Sequence, residues 1–480
     1  MAGADILGIG TSALLSYQQA LQTTSNNISN LNTDGYSRQR VDFSTQPGDS
    51  AGRYYLGSGV QVDGVQRIFS QFVNAQVTDA TATNSRYQTY SQYAEQVDNL
   101  LADQTAGLQP ALQSFFNSVQ GVANDPSSIS ARQDLISQGN TLAGRFNTLY
   151  QQIDNISGRL NGQIGNDVSN INSLASQIAK LNTQIVSVNN SNVVGQPNGL
   201  LDKRDALVNK LAQYVSVKTV SQSDGSINVM VGTGQALVVG ADVTKLGTAN
   251  LSGDPNQLDL VFKTQAGDVP VSNIVTGGSL GGLLEARDQV VVQATNALGR
   301  LAIGIGQEFN AQQAKGIDLT GSQGGNFFNV PMPNTVQNSF PATGTATTSG
   351  VATYSISDVS KLTTNDYQLS YDGSNWALKV AGSGQAVTMT PVAGSPGSYT
   401  ADGLTINVPT TASAGDSFTI EPTRYAARDI TMAATDPRQI AAAAPVVGTA
   451  LRPTPAPARS PPCRSAIRPI RICATRSPSA

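Results

Sequence analysis

Histidine is absent from the 480-residue chain. That removes the commonest general base, the commonest metal ligand and the side chain that titrates near neutrality. Cysteine is confined to Cys463 and Cys473, so the first 462 positions offer neither a disulfide framework nor a thiolate metal site. Charge is scarce too. Charged residues make up 13% of the chain, where about 25% is usual in soluble domains. Asn, Gln, Ser, Thr and Gly take their place, so solvent-facing surfaces are largely neutral and polar. Such surfaces suit packing against copies or relatives of the chain. They lack the basic face that nucleic-acid binding needs. No apolar run approaches the roughly 20 residues that span a bilayer. The first Lys or Arg is Arg38, too late for the basic start of a secretory signal, so an exported protein of this sequence is expected to use another route.

Catalytic patterns are missing as well. Without histidine, neither a zinc-peptidase motif nor a Ser/His pair can exist, and no Walker loop is present. Gly8-Ile9-Gly10-Thr11-Ser12-Ala13 has the letters of a dinucleotide fingerprint, but it follows no strand and no acidic residue lies about twenty positions on. Carboxylates alone can hydrolyse glycosides, yet no converging pair stands out. The expectation is a protein that is not an enzyme and holds no cofactor and no metal. Asp202 and Asp205, with Lys203 and Arg204 between them, read as a solvated helix surface near a helix start, where carboxylates favour the dipole.

What the chain does have is periodicity. Leu7, Leu14, Leu21 and Ile28 recur every seven residues, with Tyr17 and Leu31 three positions after two of them. This is an a/d seam of about four heptads. A helix with one such stripe needs a partner, and either the interior of its own domain or a second chain satisfies it. Asn26, Asn27, Asn30 and Asn32 are expected to end the helix, because Asn competes for backbone hydrogen bonds. Asp34-Gly35 then supplies a turn. A second seam runs through Val73, Val77, Ala80, Tyr87, Ala94, Val97 and Leu101. The longest one steps from Leu142 through Phe146, Leu149, Ile153, Ile156, Leu160, Ile164, Val168, Ile171, Leu174, Ile178, Leu181 and Ile185 to Val188. It predicts a helix on the order of 80 Å long, which reads as a rod-shaped bundle.

The period changes to two after Tyr214. Val215, Val217 and Thr219 alternate, Ser-Asp-Gly-Ser turns, and Ile227, Val229 and Val231 alternate back. Helical period returns at Leu283, Val291, Ala294, Leu298, Leu301, Ile305 and Phe309. Tyr367-Leu369-Tyr371 and Trp376-Leu378-Val380 flank Asp372-Gly373-Ser374 as a second hairpin, in a Gly/Ser/Thr/Val stretch that suggests a sandwich or partly open barrel. The fold class is therefore α+β: an elongated helical bundle or coiled-coil rod with inserted all-β domains. The expected division is 1–70 for an N-terminal helix and hairpin, 71–213 for the long-helix rod and 214–275 for a β insertion. Then come 276–325 for the returning helix, 326–424 for an outer β domain, 425–450 for the start of a return to the rod, and 451–480 for an anomalous tail.

The stretch NNISNLNTDGYSRQR resembles the N-terminal motif of the bacterial flagellar axial proteins of rod, hook and hook-associated types, over about fifteen positions. Asn26, Asn27, Asn30, Asn32, Gly35 and Tyr36 are its matching positions. Three more stretches narrow the resemblance: PNGLLDKRDALVNKLAQYVSV from Pro197, GGSLGGLLEARDQVVVQATNALGRLAIGIGQEFNAQQAKGIDLTGSQGGNFF from Gly277 and PTRYAARDITMAATDPRQIAAAAP from Pro422. These are similar to the first flagellar hook-associated protein family, the FlgK type, across about residues 1–445. The resemblance implies an exported structural subunit, outside the cell at the hook–filament junction, that leaves through the flagellar type III channel. It implies the hook protein, a filament-side second hook-associated protein, further copies of itself in a ring and an export chaperone as partners. Leu7, Leu14, Leu21, Ile28 and Leu31 would be the subunit-packing seam. No nucleic acid and no membrane are implied. The rivals are another axial protein of hook or distal-rod type and a secreted coiled-coil adhesin.

Residues 451–480 differ from all that precedes them. They hold six arginines, seven of the 22 prolines, both cysteines and no acid. Proline at this density forbids a helix, where the resemblance implies a C-terminal heptad helix that pairs with the N-terminal one. An out-of-frame translation of a GC-rich gene gives this composition, and so does a Pro/Arg-rich disordered tail. Under the first reading half of the inner-tube coiled coil is missing.

Overall fold

The computed structural model describes residues 6–51, 54–191, 195–250, 257–330, 336–338, 351–409 and 411–443. The expectations for 444–450 and for the tail at 451–480 lie outside these residues. Helix α1 spans Ile6–Ser29. Strands Gln39–Thr45 and Val60–Arg67 follow as an antiparallel hairpin with a register shift between Asp42 and Phe43. A small arm, Asp49–Ala51 paired with Tyr54–Leu56, extends from its tip. Helix α1 lies along this hairpin.

The rod comprises α2 (Gln71–Leu101), α3 (Leu108–Asn124), α4 (Ile129–Asn189) and α5 (Asn198–Tyr214). Serine caps start two of them: Ser70 Oγ accepts from Val73 N–H and Ser128 Oγ from Ala131 N–H. At 61 residues α4 is about 90 Å long. The expected seam is its buried face. Leu142, Phe146, Leu149, Ile153, Leu160, Ile164, Ile171, Ile178 and Ile185 are all almost fully buried. Leu174, Leu181 and Val188 are half-buried.

After α5, a four-stranded meander begins with Val217–Ser221 paired to Ile227–Val231, the hairpin that alternation predicts. A three-stranded sheet of Lys245–Ala249, Asp259–Thr264 and Gly267–Pro270 follows. Both sheets share the rod's core through Val229, Val231, Leu237, Leu246 and Leu260. The chain re-enters the rod as α6 (Gly278–Ala286), a π-helical turn at Arg287–Val291, and α7 (Val292–Gln313). Leu283, Val291 and Leu298 are buried as the period predicts, whereas Leu301 is exposed and Ala302 and Ile303 take the inner positions.

The outer β domain has two sheets over one core. One contains Val336–Asn338, Ser417–Ile420, Tyr367–Tyr371, Trp376–Val380 and Ala386–Val387; the other contains Thr353–Ile356, Leu404–Asn407, Ser398–Ala401 and Thr390–Pro391. Tyr354, Leu404 and Ile406 of one sheet meet Tyr367, Leu369, Leu378 and Phe418 of the other. This is a sandwich. Tyr371 pairs with Trp376 across the second hairpin that alternation predicts.

The returning segment, with its short helix α8 (Ala426–Asp429), lies on the rod. Side chains of the rod hold its backbone carbonyls. Asn147 Nδ2 donates to Ala427, Arg428 and Ile430. Gln313 donates to Gln439, and the buried Arg132 donates to Pro437 and Ile440. Gly139 lets Met432 and Phe327 approach α4, because a Cβ there would stand 2.8 Å from the Met432 sulfur.

The second seam is only partly borne out. Val97 is buried as expected and Ala94 and Leu101 are half-buried, but Val73, Val77, Ala80 and Tyr87 are exposed, and α2 also buries Thr78, Ala82 and Tyr93. Polar pairs turn that face inward: Thr78 Oγ1 donates to Asn209 Oδ1 at 3.0 Å, and Arg86 bonds Glu285 at 2.8 Å.

Candidate assembly surface

Helix α1 has its polarity reversed relative to an ordinary surface helix. Its inward positions are Ile9, Ser12, Ala13, Ser16, Ala20, Thr23 and Asn27, mostly spaced by three and four, and Asn30 continues them on the turn that follows. Most are small or polar. They let the hairpin backbone come close: Ser16 Oγ donates to Val60 O at 3.3 Å, and a Cβ at Gly59 would meet Ser12 Oγ at 2.6 Å. The apolar stripe faces away. Leu7, Leu14, Leu21, Ile28 and Leu31 are 78, 73, 71, 70 and 79% exposed, and Tyr17 is 63% exposed beside Phe43. Of the two readings of this stripe, the described residues supply no domain interior that covers it. The dinucleotide-like letters at Gly8–Ala13 lie inside α1, with no preceding strand among the described residues.

The Asn-rich motif does not dissolve the helix where expected. Asn26 and Asn27 are helical, and α1 runs on to Ser29. The physical reason is that their side chains bond forward instead of competing with their own backbone. Asn27 clamps Gln39: its Nδ2 donates to Gln39 O and its Oδ1 accepts from Gln39 N–H, both at 2.9 Å. Tyr36 donates its hydroxyl to the same Oδ1 at 2.8 Å, and Asn26 Nδ2 donates to that hydroxyl oxygen at 3.4 Å. Asn30 Nδ2 returns to Asn26 O and Oδ1. Asn32 is exposed on the turn and makes no hydrogen bond among the described residues. Gly35 has φ of +79°, a left-handed value that favours glycine, and a Cβ there would stand 3.1 Å from Ala206 Cβ. The motif thus positions the hairpin on α5.

Asp202 and Asp205 complete that docking, which corrects their reading as solvated residues near a helix start. Because α5 begins at Asn198, neither lies in its first turn. Arg67, the last residue of the hairpin, sits between them at 3.2 Å from Asp202 Oδ1 and 2.6 Å from Asp205 Oδ2. Asp202 Oδ2 also accepts from Ser37 N–H at 3.2 Å, and Asn198 donates to Val65 O at 2.7 Å. Burial pushes the Asp205 carboxyl above the usual carboxylate range, against the opposing pull of Arg67. Burial and nearby Asp202 likewise push the Tyr36 phenol up. Sequence gave no sign of a partner 135 residues away from Asp202; only the excess of carboxylates on one helix face could have suggested one.

Among the described residues no group of three or more His, Cys, Asp or Glu side chains could hold a metal ion, and no helix is long and apolar enough to cross a membrane. Two grooves flank the docked hairpin. One of about 730 Å³ lies between Arg67, Asn74, Asp205 and Val217. The other, of about 690 Å³, lies between Gln22, Asn26, Val65 and Asn198. Both are open and polar.

Comparison with known proteins gives a consistent result. Residues 94–328 match the flagellar hook-associated protein FlgK helical domain, residues 341–422 a D2-like domain of flagellar hook-associated protein 1, and residues 7–36 the flagella basal body rod protein family. Flagellar hook-associated protein 1 of Salmonella typhimurium is 34% identical over 90% of this chain and 77% of its own length. The Escherichia coli protein of the same name is 32% identical over 90% of this chain and 78% of its own. The solved flagellar hook junction protein FlgK from Burkholderia pseudomallei superposes with a TM-score of 0.70 at 37% identity, covering 77% of this chain and 66% of that one. The chain belongs to the flagellar hook-associated protein 1 family, the structural proteins of the flagellar hook–filament junction.

Proposed function

We propose that this chain is an exported, non-catalytic subunit that joins hook to filament, and that Leu7, Leu14, Leu21, Ile28 and Leu31 form its subunit-packing seam. The single observation that carries the reading is the outward stripe of α1 on a module otherwise pinned to the rod. Five large apolar side chains held in water on a braced helix favour association, at about 25 cal/mol per Å² of apolar area covered. Near-absence of charge along α1 means that neighbours of different kinds can pack there without burying an unpaired ion. The partners we assign are the hook protein, a filament-side hook-associated protein and further copies in a ring. A flagellar export chaperone would cover the stripe before assembly. The motif positions Asn26, Asn27, Asn30, Gly35 and Tyr36 serve to fix the angle at which the seam is presented. The domain division we adopt follows the expected one, with helix and hairpin, rod, inserted sheets and outer sandwich as successive units.

The test is a Leu14→Asp/Leu21→Asp variant expressed in a flagellated strain that lacks its own hook-associated protein 1. The purified variant should keep the parent's thermal unfolding midpoint within about 2 °C. It should be exported yet fail to cap hooks or support filament growth. Normal motility with the variant would overturn the reading.

A further inference from the structure

The outer sandwich joins the rod through one face of α7, and that face admits unusually close approach. A Cβ at Gly299 would overlap the carbonyl oxygen of Thr423, and one at Gly306 would overlap the Val330 side chain. Val330 lies on the outgoing connection and Thr423 on the returning one, so both crossings press on glycines of the same helix.

Domains joined by two connections ordinarily move unless their shared surface is large and apolar. Here the core itself is shared. Ile303 of α7 is fully buried within the sandwich core, beside Tyr354, Leu362 and Ala426. Its neighbours Leu298 and Ala302 belong to the rod core, and Val330 packs on both. About two turns before Ile303 on α7, Asn296 Nδ2 donates to Thr364 O and to Asp366 Oδ1, each at 3.0 Å. Arg424 then bonds Asp366 Oδ2 at 2.5 Å and Glu421 Oε1 at 2.7 Å, with all three side chains at most 10% exposed. Tyr354 adds a hydroxyl donated to Glu421 O at 3.1 Å. Swinging the sandwich away from α7 would take the Asn296 amide from Thr364 O and from the buried Asp366 carboxylate and would uncover Ile303, which favours the closed arrangement.

We propose that α7 is a fixed mount and not a hinge. The sandwich holds one orientation on the rod, set by the Gly299/Gly306 notch and the Asn296–Asp366–Arg424–Glu421 network. This is a property of the single subunit, so its test does not depend on assembly. Spin labels are placed at Thr148→Cys on α4 and Thr400→Cys on the outer sheet, in a Cys463→Ser/Cys473→Ser background diluted with unlabelled protein. Double electron–electron resonance should give one narrow distance distribution. Gly299→Val, or Asn296→Ala if that variant does not fold, should widen it at least twofold. A broad or multimodal distribution in the parent overturns the proposal. So does an unchanged width in every variant that folds.

Discussion

Arg67 Nη1 lies 2.6 Å from Asp205 Oδ2, which fastens the end of the N-terminal hairpin to α5. Both side chains are largely buried, at 9 and 18% exposure, and Asp202 sits on the other side of the guanidinium. The α1 stripe therefore reaches solvent on a braced platform.

Removing the cation should release that platform. Arg67→Ala leaves two buried carboxylates facing each other, a change that costs about 3 kcal/mol when a buried ion pair loses one partner. Hydrogen exchange should show faster exchange at residues 39–67 with the α4 amides unchanged. Equal protection of the hairpin in parent and variant would refute the brace.

The four asparagines of the motif should separate cleanly. Asn27→Ala takes away two hydrogen bonds to Gln39 and one to Tyr36. It should cost about 1–3 kcal/mol in the stability of the hairpin. Asn32→Ala, on an exposed turn, should lie within about 0.5 kcal/mol of the parent. Urea unfolding followed by hairpin-specific hydrogen exchange measures both.

Leucines of the two principal seams should answer oppositely to truncation. Leu160→Ala opens a cavity in a fully buried site on α4 and should cost about 2–5 kcal/mol. Leu14→Ala removes a side chain that is 73% exposed and should leave monomer stability within about 0.5 kcal/mol. Denaturant unfolding of dilute protein distinguishes them. A large loss at Leu14 would mean that the stripe is covered within the monomer.

One acid-range effect follows from the α2–α3 loop. Asp103 Oδ1 accepts from Thr105 N–H, the Thr105 hydroxyl and Ala106 N–H, and these bonds hold its carboxyl down at about 2, from 3.8. A carboxyl whose folded value is depressed contributes stability that is present above its unfolded value and is lost as pH falls from about 4 toward 2. A carboxyl-carbon NMR titration should place the Asp103 midpoint near 2. A midpoint near 4 would show the loop bonds to be absent.

The long seam of α4 was legible because its cause is local. Steps of three and four place Leu142, Phe146, Leu149 and Ile153 on one face whatever lies opposite. Both predicted hairpins were legible for the same reason, since alternation and an Asp-Gly turn act over a few residues. The upper half of α2 misled because Val73, Val77 and Tyr87 have the right spacing for a core, while polar pairing of Thr78 with Asn209 turned a different face inward. Leu301 misled because the outer sandwich packs on α7 at Gly299, Ile303 and Gly306 and draws that face inward, a neighbour that periodicity counting cannot see.

By itself the sequence determined the elements and their apolar faces, because propensity, periodicity and turn chemistry are properties of neighbouring residues. It also settled that no histidine chemistry or thiolate site is available through residue 462. Only the tertiary structure decided which face of α1 meets its own chain, because that depends on the shape of a hairpin that accepts small side chains closely and leaves the leucines outside. It alone decided that Asp202 and Asp205 are buried clamps, since charges so far apart in the chain acquire a partner only when the fold brings Arg67 between them.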